Sequence, residues 1–380
     1  MPEFLKLMET WDGYTPVPQQ FSEAAVGRAM ELLTNAKRLP NHRHEYLLRE
    51  AITTSDFPNL FGFIVERDIL ARYRIVVADW RTYCATGTMP NFNQGELHKV
   101  QGQDQRLDLV GEKGEYLIAR ESNAHYHRKV YKRGRQFDIS WEALVNDVLD
   151  SMRNIPQKFA DACIRTEAFQ VTSLYAAAAG PNPLLFAAAP GVLDVDGARV
   201  INLGVLPLTI LNLEATLALM GAQVDVNGEP IAVRGIHLVV PMPLEFTARQ
   251  ILTSATKMWV DQAGGAGAAI PYPMTNVLPQ MGIQLHVDPY LQVVDTSATN
   301  DTTWYVFADP SQGEAIHMDF LTGHEEPEIC MKASDKVSTA GVPISPFEGD
   351  FATDNVFYRV RHVLGGTQVD PRFAYAHQAP

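Results

Sequence analysis

Residues 357–377 read FYRVRHVLGGTQVDPRFAYAH. Starting one residue earlier, Val356, Tyr358, Val360 and His362 alternate with Phe357, Arg359, Arg361 and Val363. A period of two is the mark of a β-strand, so Arg359 and Arg361 share one face. Gly365-Gly366 follow and read as a turn, because glycine reaches positive φ without strain. A phosphate-binding loop would need a helix to open after the glycines. No helical pattern follows, so the stretch reads as a closing strand and not as an active site.

The chain that this strand closes has 380 residues, of which 46% are apolar and 20% charged. That is ordinary globular material, long enough for a large core and for two or three domains or sub-domains. A net charge of −13 argues against a broad basic face for nucleic acid. Cys84, Cys163 and Cys330 lie far apart and fit neither a metal spacing nor a disulfide framework. Reduced thiols are expected. The start, MPEFLKLMETWDGYTPVPQQ, lacks the pattern of a signal peptide, and no apolar run suits a membrane span. The expectation is a soluble product made in the cytoplasm.

Residues 1–56 look like an arm. FSEAAVGRAMELLTNAKR is one amphipathic helix with Ser22 as N-cap, too little to bury itself. A second short helix is expected over 61–73. Between 99 and 139 the pattern is that of a long hairpin. Leu107 and Leu109 alternate with polar residues, as do Tyr116 and Ile118, around Gly-Glu-Lys-Gly at 111–114. Its remaining residues are very polar, so it reads as a ribbon that projects and rests on another subunit.

Helix follows the ribbon. Trp141, Leu144, Val145, Val148, Leu149 and Met152 form a stripe, and Pro156 is read as a break that starts a second helix reaching about Ala178. Apolar residues on two sides of that second helix suggest a spine buried between layers. From about residue 200 the pattern is mixed. Helices are expected in LPLTILNLEATLALMG and PLEFTARQILTS, a hairpin turn at Asn227-Gly228, and strands in IHLVVP, GIQLHVDPYL, WYVFADP and AIHMDFL.

Candidate chemistry is thin. His125 and His127 alternate on a strand and could share a metal, but no third ligand is near in sequence. Arg128, Lys129, Lys132, Arg133 and Arg135 crowd beside them. GGAGAA at 264–269 leads into prolines instead of a helix, which argues against a dinucleotide loop. HEEPE at 324–328 is a single solvated acidic run, and DVDG at 194–197 lacks the later ligands of a calcium loop. No nucleophile motif is present. We therefore expect no catalytic residue, no metal and no cofactor.

The order of parts resembles the major capsid proteins of tailed bacteriophages, with their Hong Kong 97 fold. KRGRQFDISWEALVND, FADPSQGEAIHMDFLTG and DNVFYRVRHVLGGTQVDPRFAYAH carry the resemblance. It implies an α+β fold with an N-terminal arm (1–56), a peripheral domain in pieces (57–98, 138–200, 319–366), an extended loop (99–137), an axial domain (201–318) and a C-terminal segment (367–380). In this reading the spine helix and the terminal strand belong to the peripheral domain.

The implied function is a non-enzymatic virion shell of hexamers and pentamers around packaged double-stranded DNA, assembled in the host cytoplasm. The implied partners are further copies of the chain, a separate scaffolding protein, a portal protein at one vertex and a decoration protein, with no membrane. A separate scaffold is expected because only about 50 residues precede the matching parts. Contacts between subunits are expected from Lys113, Arg120, Arg128, Lys129, Lys132, Arg133 and Arg135 on the ribbon, and from Arg359 and Arg361 on the closing strand. Lys113 sits at the expected ribbon tip, yet no asparagine and acid can be matched to it, so no cross-link is expected. The alternatives are an encapsulin-type nanocompartment shell and, in another class, an α/β hydrolase-like enzyme using residues 323–377.

Overall fold

The computed structural model describes residues 79–101, 122–140, 149–188, 192–193, 199–225, 228–260, 271–337 and 349–380, with a few positions between them such as Tyr73, Leu107 and Leu109. The arm, the Trp141–Val148 stripe, the GGAGAA and DVDG segments, Lys113 and Arg120 lie outside the described residues.

In chain order, β1 (Ala85–Met89), β2 (Gly95–Gln101), β3 (Ser122–Arg128) and β4 (Val130–Ser140) precede the long helix α1 (Leu149–Tyr175). Short strands follow: β5 (Ala176–Ala177), β6 (Gly180–Pro181), β7 (Val192–Leu193), β8 (Arg199–Val200) and β9 (Leu203–Gly204). Next come α2 (Ile210–Gly221), β10 (Gly235–Val240), α3 (Glu245–Thr253), β11 (Thr256–Val260), β12 (Pro271–Thr275), β13 (Gln284–Val287) and the one-turn helix α4 (Leu291–Val294). The chain closes with β14 (Trp304–Ala308), β15 (Ile316–Leu321), β16 (Glu328–Met331), β17 (Asn355–Gln368) and β18 (Ala374–His377). This is the α+β class expected. It divides into two compact units.

The first unit takes residues 1–77, 132–165 and 323–363. Here β16 pairs antiparallel with β17, Glu328 opposite Arg361 and Met331 opposite Tyr358. Val356, Tyr358, Val360 and His362 are buried while Arg359 is exposed, so the alternation read from the sequence holds. β4 also pairs with β17. Phe137 stacks on Tyr358 with ring centres 5.3 Å apart and leans on Phe159 of α1 at 4.8 Å.

The second unit takes residues 78–131, 166–322 and 364–380. Its mixed sheet runs β13-β10-β14-β18-β9. All five residues of β14 are buried, which fits a strand covered on both faces. Tyr83 stacks on Phe307 at 5.4 Å, and Tyr175 meets Tyr305 edge-on at 5.0 Å. Thr209 caps α2, its hydroxyl accepting from the Asn212 N–H at 3.2 Å, and Leu213, Thr216 and Met220 turn inward at helical spacing. Elsewhere in the unit, β1 pairs parallel with β15, and β15 pairs antiparallel with the end of β17.

Two expectations change. The first concerns Pro156, which does not start a helix. α1 runs through it as a single helix of 27 residues, about 40 Å long, and forgoes one backbone hydrogen bond there. Nor is α1 buried on all sides, since Lys158, Asp161, Arg165 and Phe169 are exposed along one face. The second concerns Gly365-Gly366, which are no turn. β17 passes straight through them. A Cβ on Gly365 would lie 1.9 Å from the Lys129 carbonyl oxygen, and one on Gly366 would lie 2.8 Å from Leu174 Cδ1. These glycines permit close approach, not chain reversal. The last strand, β18, is seated between β14 and β9, in the same sheet as β10. Around Gly228 the chain reverses as expected: the Asp225 N–H donates to the Glu229 carbonyl at 2.8 Å, and Gly228 has φ 82°.

Candidate functional site: the root of the ribbon

β2 and β3 pair antiparallel from Gly95 opposite Arg128 to Gln101 opposite Ser122. This is the base of the expected ribbon, beginning a few residues before 99. Alternation gives it two unlike faces. Leu97, Lys99, Tyr126 and Arg128 are buried or half-buried, whereas Glu96, His98, His125 and His127 are all exposed.

The inner face is anchored at three places. Tyr126 packs with Val369 and Leu97. Lys99 Nζ donates to Asp370 Oδ2 at 2.5 Å and lies 4.7 Å from the centre of the Phe373 ring. Arg128 Nη1 donates to Asp319 Oδ1 at 2.9 Å. Each strand of the ribbon thus sends one cation to a carboxylate with almost no exposed surface: Asp370 at 1% and Asp319 at 0%.

The Asp-Pro-Arg of the closing segment explains why Asp370 is in place. Asp370 caps the short 3-10 helix Pro371–Phe373, its Oδ1 accepting from the Arg372 N–H at 3.0 Å and from Arg372 Nε at 2.9 Å. Pro371 takes the first helical position, where its missing N–H costs nothing. Burial alone would raise the Asp370 pKa. Lys99 and Arg372 reverse this and hold it below the usual carboxylate range. Asn202, also fully buried, donates to the Pro371 and Ala374 carbonyls at 2.9 and 3.1 Å and fixes the same segment.

Asp319 belongs to a second group. His317 Nδ1 donates to Glu314 Oε2 at 2.8 Å, and its Nε2 lies 3.5 Å from Asp319 Oδ1. Burial opposes the charge on His317, but the two carboxylates outweigh it and raise the pKa to about 9. A Cβ on Gly87 would lie 2.5 Å from His317 Nε2, so only glycine leaves room for this ring. These groups are structural ion pairs. Among the described residues no nucleophile is set beside a base in a cleft, and the arrangement fixes a ribbon to its body.

A model of the phage capsid protein family matches residues 127–377, from the returning arm of the ribbon to the last strand. The chain belongs to this family. The resemblance to phage capsid proteins read from the sequence is borne out, and the fold is α+β as expected. The chain is a structural protein of the virion's capsid shell. No curated protein matches it. Among solved structures it is similar to the capsid of a native GTA particle, with 11% identity, 80% of this chain and 90% of that one covered, and TM-score 0.49. It is similar also to the capsid of cyanophage P-SCSP1u, with 11% identity, 80% and 88% covered, and TM-score 0.46. A virus-like particle from Pyrococcus furiosus is a third, with 8% identity, 83% and 97% covered, and TM-score 0.44.

In this capsid protein the cations expected between subunits have divided roles. Arg128 is an anchor within the chain. Arg361 pairs with Glu328 on the neighbouring strand, and Arg359 Nη2 lies 3.2 Å from Cys330 Sγ. Both arginines of the closing strand therefore have partners in their own chain. Lys129 is exposed, 5.5 Å from the Tyr131 ring centre. Lys132, Arg133 and Arg135 belong to β4, which pairs with β17 and not with the ribbon, and Lys132 and Arg135 are exposed there. Glu328 of HEEPE serves Arg361, and Glu325 accepts from the Gly323 N–H at 2.9 Å, so that run caps a loop. Lys99, Asp319, Asp370 and His317 escaped the sequence reading. Only Asp370, directly before a proline, carried a local signal.

Proposed function

We propose that this capsid protein is the major shell subunit, assembling with copies of itself as hexamers and pentamers into an icosahedral shell around packaged double-stranded DNA, without catalysis. The ribbon lies over a neighbouring copy. The observation that carries this reading is on the ribbon: Leu107 and Leu109 are 98% and 100% exposed. Covering two such side chains is worth about 3–6 kcal/mol in total. Repeated around a closed ring of identical subunits, that contact favours assembly. The anchored root supports it, because a ribbon fixed at its base loses less freedom on docking. The cations expected between subunits remain part of this proposal, with Lys129, Lys132, Arg135 and Arg359 exposed for complementary contact with an acidic neighbour. The seven-part division into arm, peripheral pieces, extended loop and axial domain is part of the same proposal. So are a separate scaffolding protein, a portal, a decoration protein and assembly in the host cytoplasm.

Electron microscopy of the purified protein, combined with nuclease protection of particles from infected cells, tests the reading. Icosahedral shells that protect long double-stranded DNA are expected. Shells holding a cargo enzyme would favour the encapsulin-type alternative. A small discrete oligomer with hydrolytic turnover would favour the enzyme and overturn the proposal.

A further inference from the structure

The outer face of the ribbon root carries a group that the shell reading does not use. Glu96, His98 and His125 are all exposed, and one candidate ligand atom from each falls within 4.8 Å of the others. His98 and His125 sit directly opposite in the β2–β3 register. Their Nδ1 atoms are 2.7 Å apart, and the rings meet edge-on with centres at 4.8 Å. Glu96 Oε2 lies 3.8 Å from His98 Nε2 and 3.9 Å from His125 Nδ1. The third ligand missing from the local sequence of the returning arm is thus supplied by the outgoing arm, 29 positions before His125.

The basic residues beside this group argued against a cation. The structure removes most of that objection. Lys99 and Arg128 point to the opposite face, each neutralised by a buried carboxylate. Lys132, Arg133 and Arg135 stand on a different sheet. The face that holds the two imidazoles also holds a carboxylate, which attracts a cation.

We infer that Glu96, His98 and His125 form a binding site for a divalent first-row transition ion such as zinc. Two imidazoles and one carboxylate are a donor set suited to such ions. With metal–nitrogen bonds of about 2.0–2.1 Å at tetrahedral angles, the ligating nitrogens would stand about 3.3 Å apart. Small rotations of two exposed rings achieve this. Each imidazole binds in its neutral form, keeping its proton on the other nitrogen, so the ion needs to displace no proton from a neutral pair. Water, or a donor from an adjoining copy, takes the fourth position. Bound metal ties the two arms of the ribbon together on the side away from the ion-pair anchors. This inference stands apart from the shell proposal, since it needs only the folded chain.

The test is a titration of the untagged full chain with zinc chloride by calorimetry. A parallel cobalt(II) titration, followed by visible absorbance, reports the ligand geometry. We expect one ion per chain and a tetrahedral cobalt spectrum. His98→Gln and His125→Gln should each weaken binding by about tenfold or more, and magnesium should not compete. His127→Gln should leave affinity within about twofold, as that residue lies outside the group. All three imidazoles are exposed, so thermal melts of the variants should match the parent. No stoichiometric binding, or binding unaffected by both His98→Gln and His125→Gln in folded protein, would overturn the assignment.

Discussion

The mixed sheet around β14 and the ribbon root are both β structure in one compact unit, yet they are held by opposite means. The sheet is an apolar interior: Trp304, Tyr305, Val306, Phe307 and Ala308 are all buried, and aromatic rings lie on them at close range. Among the described residues the ribbon root has a small apolar cluster, Tyr126 and Val369 with Leu97 against them, and two cations reach buried carboxylates. Apolar burial holds the sheet together whatever the salt concentration. The root is sensitive to salt, because its attachments are charges. A shell subunit has use for both: a body that stays folded, and an arm whose seating responds to conditions.

The largest effect should come from breaking the sheet. Trp304→Ala removes a fully buried ring and should cost about 4 kcal/mol in the unassembled subunit. Denaturant unfolding measures this, and a loss under about 1 kcal/mol would contradict the packing described. Asp370→Asn should cost about 3 kcal/mol. It keeps the cap on Pro371–Phe373 but leaves Lys99 and the buried Arg372 without their anion. Its signature differs from that of Trp304→Ala: backbone amides of β2 and β3 should exchange hydrogen faster while those of β14 stay protected. Equal loosening of both would erase the distinction between the regions.

A smaller effect, on the order of 1–3 kcal/mol, should follow pH. His317 has a folded pKa of about 9, above the unfolded value near 6.5. Its contribution is therefore complete below pH 6.5 and is lost as pH rises toward 9. His377 runs the other way. Burial lowers it to about 4, and its ring accepts from the Leu206 N–H at 3.2 Å and meets the Thr216 hydroxyl at 2.9 Å. His237 is likewise lowered to about 4, by burial and by His286. Both withdraw stability as pH falls from 6.5 toward 4. Stability should peak near pH 6.5. His317→Gln should flatten the alkaline limb alone, and a parallel shift of both limbs would rule out this assignment.

The same contrast explains what could be read in the sequence. Continuous or alternating apolar runs announced β10, β14, β15 and the first half of β17, because burial leaves a periodic trace. A hairpin between residues 99 and 139 was legible in outline, and β2 and β3 form its paired root. Its attachments were not. Lys99 and Asp370 are 271 positions apart and Arg128 and Asp319 are 191 apart, and a polar residue carries no local mark of a distant partner. For the same reason no local signal marked Asp319, Cys330 and Glu328 as the partners that Arg128, Arg359 and Arg361 find within the chain. Gly365-Gly366 misled because glycine marks both turns and close approaches, and only the neighbouring Lys129 carbonyl decides between them. The helix break at Pro156 failed similarly, since a long helix can absorb one missing hydrogen bond.

The central claim is that the ribbon beyond its root serves a neighbouring copy and not its own chain. Replacing residues 102–121 with a short Asn-Gly turn joins Gln101 to Ser122 and leaves both ion-pair anchors intact. Leu107→Ser with Leu109→Ser is the milder form, and it should change subunit stability by less than about 0.5 kcal/mol. Size-exclusion chromatography and electron microscopy of the shortened chain are the direct measurement. We expect folded subunits with the parent's unfolding midpoint and no closed shells. Shells of normal size and yield from the shortened chain would contradict the account.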